Sequence, residues 1–226
     1  MERSVDREPL SRIAIGAVVA SAGGVSYALA TAQETSYAWM STGHSPVVWL
    51  VLAVVATHLG TFRQALFVVP AVLVVSVIVY YAVLADHGRA VAEVVDLLAF
   101  WGIGGIVGGV GLALVADWAL DTHDSYRPWV ARGVVVGLII GATMSSAFDE
   151  QLPFTSQAWA AFRYEVAEMP WYLVIGATAA ISYVAYIGIR CRPPVSVKTI
   201  AFPGGVVLGW ILALLPGLLL DVVRGI

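Results

Sequence analysis

Two carboxylic acids, Glu93 and Asp96, sit three residues apart in the otherwise apolar stretch AVAEVVDLLAFWG. Residues at i and i+3 share one face of a helix, so both acids project the same way. Asp96 lies about 9 Å along such a helix from Ala90, at 1.5 Å per residue. A carboxylic acid placed inside a bilayer must line a cavity, pair with a base or keep its proton. One that stays neutral in a dry site is a proton donor. Asp149 and Glu150 end a later apolar run, and Asp221 lies near the end of the last one. Glu34, Asp86 and Glu165 fall at the same end of the molecule and are read as solvated loop acids.

Aromatic residues gather at that level too, among them Trp39, Tyr80, Tyr81, Phe100, Trp101 and Trp171. Rings at a membrane interface form a lipid-facing belt, which accounts for some of them. Tyr80 and Tyr81 are adjacent and point apart, so one of the two must face protein. Trp101 follows Asp96 by about a turn and a half at 3.6 residues per turn. Acids and rings at one depth describe a pocket for a cation or an apolar ligand.

Other chemistries lack their residues. No HExxH motif or histidine cluster appears among His44, His58, His87 and His123, which leaves carboxylates as the available metal ligands. The lone lysine, Lys198, stands at the entrance of the last apolar run and not in its middle, which disfavours a retinal protein. Walker A, GxSxG and NDxxD motifs are missing, as is a basic nucleic-acid face. No cofactor, metal or nucleic-acid partner is expected. The single cysteine, Cys191, excludes an internal disulfide.

The elements that must position these groups are membrane spans. The 226 residues are 60% hydrophobic and 12% charged, with a mean hydropathy of +0.87. Soluble domains carry about 25% charged residues. Continuous apolar runs near 20 residues match a hydrocarbon core about 30 Å thick, and helices satisfy their backbone polar groups internally. The chain reads as an all-α membrane protein, one domain of about seven spans near residues 13–32, 46–62, 65–85, 90–120, 129–148, 169–189 and 199–223. The first run, Ile13–Ala32, is too long for a signal-peptide core and reads as a span.

With seven alternating spans, Arg3, Arg7, Arg12, Arg63, Arg127, Arg132, Arg190, Arg192 and Lys198 fall on one side. Only Arg89, Arg163 and Arg224 fall on the other. The positive-inside rule then sets the N-terminus in the cytoplasm and the C-terminus outside. A multi-pass protein of a bacterial plasma membrane is expected. The longer connections, 33–45 and 149–168, lie on the outer side. Gly104/Gly108 and Gly105/Gly109 form small-xxx-small pairs in the fourth span, suited to close helix packing. Pro70, Pro203 and Pro216 fall inside spans three and seven, where kinks are expected.

The segments SPVVWLVLAVVATHLGTFRQALFVVPAVLVVSVIVYYAV, FWGIGGIVGGVGLAL and RGVVVGLIIGATMSSAF, between Ser45 and Phe148, resemble a family of small actinobacterial membrane proteins of unknown function. In size, span number and acid-plus-aromatic content the chain is also similar to membrane-integrated terpene cyclases. That second likeness implies metal-independent proton donation from carboxylates.

The first expectation is therefore a membrane-embedded terpene cyclase, acting on an isoprenoid-bearing small molecule drawn from the lipid bilayer. Asp96 or Glu93 would be the acid, with Asp149, Glu150 or Asp221 as partner. Tyr80, Tyr81, Trp101, Phe100, Trp171 and Trp39 would line the site and stabilise carbocations. The alternative is a small transporter or binding protein for a cationic or lipidic solute, its path continued toward the cytoplasm by His58, Ser76 and Asp117. A third option is a structural protein whose bundle packs against partners. The sequence sets no oligomeric state.

Overall fold

The computed structural model describes residues 9–33, 35–36, 39, 42–43, 45–87, 91–121, 125–149, 171–190 and 195–224. Among them are seven helices and no strand. They are α1 (Arg12–Ala32), α2 (Val47–Thr57), α3 (Phe62–Asp86), α4 (Val91–Leu120), α5 (Tyr126–Asp149), α6 (Trp171–Arg190) and α7 (Val195–Arg224). Five helices hold stretches long and apolar enough to cross a membrane: α1, α3, α4, α5 and α6. The chain is thus a multi-pass helical membrane bundle. The second expected span is cut short, because α2 stops at Thr57 and a turn through Gly60 starts α3. The prolines do lie inside helices: α3 continues through Pro70 and α7 through Pro203 and Pro216.

Local chemistry sets the helix starts at one end. Ser11 caps α1 by accepting from the Ala14 amide at 3.1 Å. Thr61 caps α3 in a capping box with Gln64. The Gln64 side chain also pairs with the Leu10 backbone: Oε1 accepts from the Leu10 amide and Nε2 donates to the Leu10 carbonyl, each at 2.9 Å. Gly60 has φ +72°, and a Cβ there would stand 2.5 Å from Gln64 Oε1. This position needs glycine for both its φ and its space.

The same end holds a buried guanidinium. Arg132, 3% exposed, donates from Nε to the Ala119 carbonyl at 2.8 Å and from a terminal nitrogen to the Asp121 carbonyl at 2.7 Å. These contacts close the last turn of α4, where a cation also meets the negative end of the helix dipole. Arg132 additionally stacks over Trp129, and Arg127 over Trp118 at 4.0 Å. Arg12, Arg63, Arg127 and Arg132 therefore share one end of the bundle, called the basic end below.

α2 is the central element, in contact with α1, α3, α4, α5 and α6. α7 packs chiefly on α5, and that contact is made of glycine. Gly133, Gly137 and Gly141 form a row on α5, and Gly205 and Gly209 form a row on α7. A Cβ on Gly133 would lie 2.9 Å from the Gly205 Cα, and one on Gly137 would run into the Val206 carbonyl. A Cβ on Gly209 would stand 2.9 Å from the Leu138 amide nitrogen. The two backbones touch directly, as small-xxx-small rows permit. Of the two glycine pairs noticed in the fourth span, Gly105/Gly109 packs on α3, with a Gly109 Cβ only 2.8 Å from Pro70 Cα. Gly104 and Gly108 face open space.

Gly137→Leu is expected to destabilise the bundle by about 3 kcal/mol or more, since overpacked backbone has nowhere to move. Gly104→Ala should be neutral or stabilising by up to about 1 kcal/mol. Thermal unfolding of the two variants in detergent, compared with the parent, checks the contrast.

Candidate functional site

The interior of the bundle carries hydroxyl groups alongside α2. α3 sets Ser76 and Tyr80 one turn apart on one face, both buried, at 0% and 1% exposure. The Trp49 ring of α2 meets Tyr80 edge-on, 5.2 Å between centroids. Trp49 Nε1 donates to Ser26 Oγ of α1 at 3.1 Å, and that hydroxyl in turn donates to its own helix at the Ala22 carbonyl. Thr42 and Ser45 are buried toward the end opposite the basic one, where Thr42 Oγ1 accepts from the Tyr172 amide of α6. Tyr80 also packs edge-on against Tyr81 at 5.4 Å.

Toward the basic end the polar line reaches Thr57 and His58. Thr57 Oγ1 donates to the Val54 carbonyl at 2.6 Å. His58 Nδ1 lies 2.8 Å from the same carbonyl. A carbonyl only accepts, so this contact assigns the proton to Nδ1. The assignment fixes the ring on α2, and its Nε2 edge is buried. Two tyrosines of α6 close around it: Tyr183 at 5.8 Å and Tyr186 at 5.7 Å, both nearly perpendicular. The cluster joins the end of the central helix to α6.

Most of these hydroxyls are satisfied locally, as serine and threonine in membrane helices usually are. Ser76 is different. Its Oγ is fully buried and has no hydrogen-bond partner among the described residues. An orphaned buried hydroxyl costs about 1–3 kcal/mol.

No family model matches this chain, and neither curated proteins nor solved structures gave a match. The candidate site therefore stands on its own geometry.

The residues singled out in the sequence are placed as follows. Asp96 is exposed on a flank of α4, beside exposed Val95 and Ala99, and does not turn into the bundle. The side chains of Glu93 on α4, Asp149 on α5 and Asp221 on α7 lie outside the described set, as does all of Glu150. The rings occur as local pairs. Phe100 and Trp101 meet edge-on at 5.2 Å and are half-buried. Trp39 and Trp171 meet at 6.0 Å and are exposed. Tyr80 alone of the six is fully buried.

Sequence reasoning gave little weight to His58, and it passed over Trp49, Ser26, Tyr183 and Tyr186. The Tyr183/Tyr186 spacing of i,i+3 on α6 was a usable signal, since it puts two rings on one face.

Trp49→Phe keeps the ring against Tyr80 and removes the indole donor. A loss of about 1 kcal/mol is expected, read as a lower unfolding midpoint. Ser26→Ala combined with it should add much less than its single effect, because the two groups share one bond.

Proposed function

We propose that the chain is a small membrane transporter or binding protein for a cationic or lipidic solute, with its path alongside α2. The observation that carries this reading is the fully buried Ser76 hydroxyl, without a partner among the described residues and one turn from Tyr80. Polar groups inside a membrane bundle are expensive and mark solute routes. Ser45, Ser26, Ser76, Thr57 and His58 supply such groups from one end of α2 to the other. Trp49, Tyr80, Tyr183 and Tyr186 add aromatic faces, which suit a cation or an apolar tail. The path lies on the α2 side of α3, away from the glycine-rich flank of α4.

An acid-initiated terpene cyclase acting on an isoprenoid-bearing lipid is a second reading. It is supported by Asp96 on an outward flank of α4, one turn from Phe100, where an apolar substrate would approach from the bilayer.

Purified protein in liposomes should carry tetraphenylphosphonium above the rate of empty vesicles. Ser76→Val should lower that flux by about tenfold, the equivalent of ~1.4 kcal/mol. Wild-type flux no greater than that of empty vesicles sinks the transport reading. For the cyclase reading, farnesylated hydroquinone is incubated with wild type and Asp96→Asn, and products are separated by mass spectrometry. Ring-closed product with wild type and none with Asp96→Asn supports it; product from both removes Asp96 as the acid.

A further inference from the structure

α6 meets the bundle with one face, whose half-buried Leu173, Ile175, Ala179 and Ala180 also pack against the core. Its buried positions are Tyr172, Gly176, Tyr183 and Ile187, spaced 4, 7 and 4 residues apart, and the positions between are more open. Of its spanning window 22% is buried, the same share as for α4, against 72% for that of α5. Three contacts among the described residues mark its length. At the end away from the basic one, the Tyr172 amide donates to Thr42 Oγ1 at 3.2 Å. In the middle, Gly176 sits so close to Thr143 of α5 that a Cβ would stand 3.0 Å from the threonine methyl. Near the basic end, Tyr183 and Tyr186 hold the His58 ring.

The third attachment differs in kind. The first two include a hydrogen bond from the main chain of a buried tyrosine and a close backbone approach. The third is a ring held rigidly on the central helix and enclosed by two rings of the peripheral one. His58 cannot swing with α6, because its Nδ1 is tied to Val54. Separation of α6 from α2 there must break both ring contacts together.

We propose that α6 is the moving element of the solute path and that the His58–Tyr183–Tyr186 cluster is its latch at the basic end. This rests on the transport reading for its purpose and on the ring geometry for its existence. With the latch closed, α6 covers α2 beside Thr57; with it open, the seam between α2 and α6 admits solute to the polar line.

The test uses Ile187, which is buried one turn beyond Tyr183 on the same stripe. In the full chain, Cys191→Ser removes the native thiol and Ile187→Cys introduces a reporter, labelled with N-ethylmaleimide in detergent. His58→Ala should speed labelling by about tenfold, and His58→Phe, which keeps a ring between the tyrosines, should label nearly as slowly as the parent. Tyr186→Leu removes one ring from the other helix and should also speed labelling, which guards against a His58→Ala protein that does not fold. Equal rates in all four proteins overturn the latch, as does fast labelling of His58→Phe. Labelling is read without solute. A failed latch with intact tetraphenylphosphonium flux removes only the moving-helix proposal, and a working latch without flux removes only the transport reading.

Discussion

The direct contact between the backbones of α5 and α7 is the constraint on which much of the remaining arrangement hangs. Inside a bilayer, apolar side chains gain little by leaving lipid for protein, so helices associate through close packing. Glycine rows remove the side chains from the contact and let the two backbones meet directly. With α5 fixed in this way, its other faces become reference surfaces. Arg132 at its start closes the end of α4. Thr143 near its far end receives Gly176 of α6. One helix thereby sets the positions of three others, using a guanidinium, a threonine and a row of glycines.

The membrane architecture was legible because its signal is long. Runs near twenty apolar residues survive any uncertainty about single positions, and apart from the short α2 the helix bounds fall close to the expected spans. Shorter-range features were legible only in part. The Gly105/Gly109 pair does pack closely, but Gly104/Gly108 has an identical spacing and faces open space. Spacing identifies a surface fit for close approach, not the neighbour that uses it. The rows at Gly133/Gly137/Gly141 and Gly205/Gly209 show the same spacing and bring two backbones into direct contact.

The candidate site was harder to see for a related reason. Carboxylates stand out in an apolar sequence, so Asp96 drew the eye, yet a helix exposes some face to its surroundings, and Asp96 lies on that face of α4. Serine and threonine give a weak signal, since most return their hydroxyl to their own helix. The difference between Ser26, which bonds Ala22 and Trp49, and Ser76, which bonds nothing described, exists only in three dimensions. Trp49 and Tyr80 likewise sit far apart in sequence and meet because α2 is threaded through the middle of the bundle. α2 can be so short, eleven residues or about 16 Å at 1.5 Å per residue, because it packs against five other helices and its end groups find partners in Ser45, Thr57 and His58.

Gln64 holds the main chain of Leu10 much as a neighbouring strand would, across a separation of 54 residues. That has a consequence for biogenesis. Leu10 and α1 are synthesised before Gln64, so this pairing can form only once α2 and the start of α3 have been made. Only then can the α1 entrance be fastened. The order of synthesis therefore puts the tie between the start of α1 and the start of α3 after α2 has been made.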